Sequence, residues 1–226
     1  MWRWLAETAA VTGKDLRAEL RTRVALSTVG LFALTTLAAV SYAVGPYRIS
    51  AEDRPFLLSA LLWIVLLFAS MAGLDRTFVK EEENRTAPLL RLSATPLAVF
   101  AGKLLFNLAL LYALTAVIVP LYSALMGFSV ALPGRLVLLL LAGGFSLAVI
   151  TTTVAAIIAR ATTRGSLFTV LSLPLLLPLL IFLIQGTRGA AEGDLEAVAD
   201  ALRAVVSLGG VMTVVAAALF PAVWLD

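Results

Sequence analysis

Six stretches of this 226-residue chain carry no ionisable side chain at all: Val24 to Tyr47, Pro55 to Leu74, Leu104 to Gly134, Leu136 to Ala159, Gly165 to Thr187 and Ala204 to Leu225. The shortest has 20 residues and the longest 31. About 20 mostly apolar residues in a helix cross the hydrocarbon core of a bilayer. Backbone polar groups in lipid must be paired within the protein, so such segments span as helices. The expected fold is all-α, a polytopic membrane protein with six transmembrane helices over approximately residues 24–44, 56–74, 104–126, 136–158, 166–185 and 205–225, in a single transmembrane domain covering 1–226. With 61% apolar and only 14% charged residues, against about 25% charged in a soluble domain, the chain lacks the polar surface that water requires.

There are no cysteines and no histidines. Disulfides, Cys-based zinc or iron–sulfur sites, Ser-His-Asp and Cys-His catalysis and His ligation of haem are thereby excluded within this chain. Its net charge is +3. In a membrane protein the placement of that charge matters more than its sum, and nothing points to nucleic acid.

The first uncharged run starts only at Val24 and is longer than the roughly 7–15 apolar residues of a signal peptide, so it is read as a retained span. The segment before it interleaves Lys14, Asp15, Arg17, Glu19, Arg21 and Arg23 with Trp2, Leu5, Leu16 and Leu20. That pattern suits an N-terminal helix lying at the membrane interface, with its arginines toward lipid phosphates, and equally a basic flank that only orients the first span. Lys and Arg concentrate in the N-terminal segment and in the connections between spans two and three and spans four and five; only Arg48, Arg54, Arg135, Arg188 and Arg203 lie on the other side. The bias places both termini in the cytoplasm. The sequon Asn84-Arg85-Thr86 is then a chance match.

Two connections are long enough to act. Asp75 to Glu83 reads as a charged extension of the second span, broken at Asn84 to Thr86. Thr86 with Pro88 starts a short helix carrying Leu89, Leu90 and Leu92, and Thr95-Pro96 launches the third span. A short cytoplasmic helix held between two spans fits a groove on a partner, although a solvated linker has the same composition. On the outer side, Asp194 can cap an amphipathic turn or two with Leu195, Val198 and Leu202 on one face, an external lid, a partner surface or a segment resting on the membrane.

Ion-coupled transporters and intramembrane enzymes place ionisable residues at membrane depth, and the uncharged runs place none there. Asn107 is expected to hydrogen-bond a neighbouring helix. Thr151, Ala155 and Ala159, like Gly209, Thr213 and Ala217, form small-residue rows at four-residue spacing that favour close helix contact. Pro174 and Pro178 free backbone carbonyls and should kink the fifth span. Neither Gly13-Lys14 nor Gly102-Lys103 belongs to a phosphate-binding GxxxxGK[ST] loop. Energy for any uphill transport must come from another subunit.

From Arg164-Gly165-Ser166-Leu167 through Pro174 and Pro178 to Phe182, the chain resembles the double-proline segment of the haem exporter protein B family, the permease of the cytochrome c maturation system. Gly73 to Phe78 and Leu89 to Lys103 resemble that family's first cytoplasmic loop, a pattern shared more loosely among type 2 ABC exporters. Arg85 stands where the wider group usually has glycine, and Pro88 where a second acidic residue is common. The resemblance implies a single permease domain without its own ATPase site, in the bacterial inner membrane. It implies a homodimer docked on a cytoplasmic ABC ATPase that binds ATP, with haem-handling membrane proteins and a periplasmic haem carrier as further partners. Asp75, Arg76, Glu81, Glu82, Glu83 and Arg91 are its ATPase-coupling candidates. Haem is a possible cargo, contacted through apolar groups, Met, Tyr or Arg since histidine is missing, and release of the haem-loaded carrier is the other use of ATP. A permease for a lipid or drug, and a non-transporting assembly scaffold, remain alternatives.

Overall fold

Long apolar runs free of charge give long helices, and the charged connections between them give short ones. The computed structural model describes residues 2–44, 50, 52–74, 76–83, 85–159 and 164–225. Among these the chain forms α1 (Trp2–Thr22), α2 (Val24–Val44), α3 (Arg54–Leu74), α4 (Arg76–Glu83), α5 (Ala87–Ser93), α6 (Pro96–Met126), α7 (Pro133–Ile158), α8 (Arg164–Glu192) and α9 (Leu195–Leu225). Six of them, α2, α3 and α6 to α9, are long and apolar enough to cross a membrane, as the six uncharged runs predict.

At the centre of the bundle, α7 packs against α3, α6, α8 and α9. Nearly every residue from Gly143 to Ala156 is buried. The backbone comes close because side chains are small or absent: a Cβ on Gly143 would lie 2.6 Å from Trp63, and one on Gly144 2.6 Å from Tyr112. Polar side chains tie helix to helix. Asn107 Nδ2 donates to Thr152 Oγ1 at 2.8 Å, the interhelical bond its sequence position predicts, and Trp63 Nε1 donates to Thr187 Oγ1 at 2.8 Å. Tyr122 donates to the Leu58 carbonyl at 2.7 Å. Around this core, Leu31, Phe68, Val117, Leu138, Leu177 and Val214 point outward, an apolar exterior suited to acyl chains.

Several helices run further than the uncharged runs, α9 among them from Leu195. α6 starts at Pro96, launched from Thr95, whose extended backbone is the conformation favoured before proline; Lys103 therefore lies two turns inside the helix. α8 runs unbroken through Pro174 and Pro178 to Glu192, and both prolines sit on its exposed side. The segment expected as a separate outer amphipathic turn is instead the tip of a helical hairpin. Gly193, at φ +87°, turns the chain, Asp194 N–H donates to the Gly189 carbonyl at 2.8 Å, and Asp194 Oδ1 caps α9 through the N–H groups of Glu196 and Ala197 at 3.0 Å each. Val198 and Ala201 are buried against Leu136, Leu139 and Ala190. The reason is local: Gly186 and Gly189 let α9 approach α8 too closely for a free-standing turn.

Candidate functional site

At one end of the bundle, α1, α4, α5, the start of α6 and the end of α9 meet. Glu83 ends α4, Thr86 N–H returns to the Glu81 carbonyl at 2.9 Å, and Arg85 adopts a left-handed φ of +56°. That conformation costs an L-residue about 1–2 kcal/mol and costs glycine almost nothing. α5 then starts with Pro88 in its first turn. The Thr86 hydroxyl does not cap it; it donates to the Glu81 carboxylate.

Beneath this elbow lies a buried ionic cluster. Lys103 of α6, 1% exposed, reaches Glu81 Oε1 of α4 at 2.6 Å and Asp15 Oδ2 of α1 at 2.9 Å. Lys14 bonds Glu81 as well and lies 3.2 Å from Asp15. Two cations and two anions make the set neutral, which is what permits ions to be held out of water. Burial alone would raise the Glu81 carboxyl, but Lys103, Lys14 and Thr86 outweigh it and hold it down at about 2. Burial likewise pulls the Lys14 ammonium down, and the two carboxylates more than offset it, leaving it above its ordinary value.

A second tie runs from α1 to the start of α6. The Thr95 N–H and hydroxyl both donate to Glu7 Oε2 at 2.9 Å, and the backbone bond is the main reason the Glu7 carboxyl is lowered. Alongside, Thr12 donates to the Gly102 carbonyl at 3.1 Å. A Cβ on Gly102 would fall 2.7 Å from Val11, so only glycine lets the two helices touch.

On the other flank an aromatic cluster joins α4 to α6 and α9. The Phe78, Phe100 and Trp224 rings lie 5.5, 5.1 and 5.6 Å from that of Phe220. The Arg91 guanidinium stands over Trp224 at 5.1 Å and is 3.7 Å from Glu82. The Lys103 ammonium is 5.9 Å from the Phe78 ring. Outward, α5 presents Leu89 and Leu92, 69% and 89% exposed, beside exposed Glu83 and Arg85. A groove of about 380 Å³ opens between α1 and α5, lined by Ala6, Ala10, Val11, Leu90 and Ala94 among others.

The structure thus sorts the coupling candidates. Asp75 lies outside the described residues, and Arg76 opens α4. Glu81 is internal, Glu82 and Arg91 are half-buried and face each other, and Glu83 is exposed. Pro174 and Pro178 belong to α8 and take no part in the elbow. Lys103, Lys14, Asp15 and Glu7 were not among the candidates. The signal for Lys103 was present, since a helix launched at Pro96 puts residue 103 two turns in. Its partner on α1, Asp15, lies 88 residues away in sequence, beyond any spacing rule. Among the described residues no three Asp or Glu side chains gather as a metal site would. What the arrangement can do is mechanical: a surface helix is joined rigidly to a membrane-length helix.

The family model described as "CcmB protein" matches residues 6–223. The chain is 31% identical over 189 residues to "Heme exporter protein B" of Bradyrhizobium diazoefficiens, covering 83% of this chain and 84% of that protein. It is 30% identical over 185 residues to "Heme exporter protein B" of Rhodobacter capsulatus, covering 81% and 84%.

Proposed function

Because the chain belongs to the CcmB protein family, we propose that it is the membrane permease subunit of an ABC transporter in cytochrome c maturation. It couples ATP hydrolysis by a separate cytoplasmic ATPase to export of haem, the cargo named for its relatives, or to release of a haem-loaded carrier. The observation that carries this reading is the α4–α5 elbow: two exposed leucines on a short helix whose root is fixed to α6 by Lys103. A partner that grips Leu89, Leu92 and Glu83 moves α6 with them.

In this reading Glu81 transmits force from inside, while Glu83 and the leucines meet the ATPase. The end where α1, α4 and α5 meet carries most of the Lys and Arg and faces the cytoplasm, both termini with it. Two copies form the permease, in the bacterial inner membrane. With no histidine in the chain, any histidine ligand to haem comes from a partner protein. A lipid or drug cargo has no observation in its favour.

Copurification tests the coupling. Tagged wild-type protein is expected to retain the ATPase, and Leu89→Asp with Leu92→Asp to lose it while the membrane protein itself stays monodisperse. No ATPase with the wild type, or equal recovery with the variant, contradicts the assignment of the elbow.

A further inference from the structure

The outward side of α1 is sorted more sharply than its sequence suggests. Its three acids all turn to the protein: Glu7 to Thr95 and Arg3, Asp15 to Lys103 and Lys14, and buried Glu19 to the Leu26 N–H at 2.8 Å. The acids therefore neutralise only Arg3 and Lys14. Arg17, Arg21 and Arg23 are exposed, and none of them has an ion pair among the described residues.

At the ~100° per residue of an α-helix, three strips run side by side. Thr8, Val11, Asp15 and Glu19 face the protein, Leu5, Leu16 and Leu20 form an exposed apolar strip beside them, and Arg17 and Arg21 form the next. Leu16 and Leu20 are 42% and 61% exposed. The strip is anchored in place, because Arg23 is followed at once by membrane-length α2 and because α1 lies against the start of α6 at Gly102.

We propose that this face binds anionic phospholipid headgroups, with Arg17, Arg21 and Arg23 on the phosphates and Leu16 and Leu20 among the acyl chains. Charge complementarity selects the occupant: apolar groups bordered by guanidinium groups that have no ion pair among the described residues, at a membrane-length helix's end, match a negatively charged leaflet. The surface is separate from the α4–α5 elbow, so it stands or falls independently of the ATPase assignment.

The test uses the full chain reconstituted with spin-labelled phosphatidylglycerol or phosphatidylcholine in bilayers of phosphatidylcholine. The wild type is expected to hold phosphatidylglycerol several-fold more strongly, with the preference shrinking as salt is raised. Arg17→Gln, Arg21→Gln and Arg23→Gln together bring the ratio close to one, and the corresponding three Lys substitutions keep it. The Lys variant and the salt series decide the matter should the Gln variant insert poorly. No preference in the wild type, or a preference that the Gln variant retains, overturns the proposal. If the Gln variant instead loses a copurifying soluble protein at unchanged lipid preference, the arginines serve an acidic protein surface and the proposal fails.

Discussion

Lys103 is held among carboxylates from two other helices, and a buried ion is worth most to a fold through what its removal leaves behind. Lys103→Met keeps the volume of the side chain and leaves Asp15 and Glu81 to share half-exposed Lys14 as their remaining cation among the described residues. A loss of about 3–5 kcal/mol is expected, read as a lowered unfolding temperature in detergent. Adding Glu81→Gln to that variant should recover part of the loss, since one stranded charge is gone. The acid side of the stability curve reports the same cluster. The Glu81 carboxyl titrates at about 2 in the folded chain against an ordinary 4.5, so its contribution is complete above about pH 4.5 and drains away as pH falls toward 2. Melting temperatures between pH 5.5 and 3 should fall less steeply in Glu81→Gln than in the wild type.

Among the elements, the α8–α9 hairpin shows where sequence periodicity stops being informative. Asp194 was legible as a cap and Val198 as a buried position, but the close approach was not, because it depends on which glycines face a neighbour. Gly186 faces Ala201, where an added Cβ would sit 2.6 Å from another Cβ that cannot swing away, whereas a Cβ on Gly210 would meet nothing within 4 Å. Gly186→Ala is therefore expected to destabilise the protein by about 1–3 kcal/mol, and Gly210→Ala to leave it unchanged or raise it by up to ~1 kcal/mol. Thermal unfolding of the pair decides. The helix starts at Pro96 and near Pro88 were readable for the opposite reason, since proline acts on its own backbone and needs no partner.

For the whole molecule, absence of charge was enough to locate six membrane-length helices, because the cost of burying an ion in lipid is paid wherever the chain folds. The same logic could not place the ionic cluster. Its members come from α1, α4 and α6, and each alone reads as an ordinary surface charge next to a span. The chain belongs to the CcmB protein family, and in the proposed function the elbow is the place where a separate ATPase drives this bundle. In the proposed function the chain is required for cytochrome c maturation and acts through that elbow. The direct measurement is the amount of covalently haem-bound cytochrome c in cells lacking the chain, complemented with wild type or with Leu89→Asp and Leu92→Asp at matched membrane levels. The proposed function predicts loss of holocytochrome c in the deletion, recovery with the wild type and no recovery with the variant. Normal holocytochrome c without the chain would contradict it.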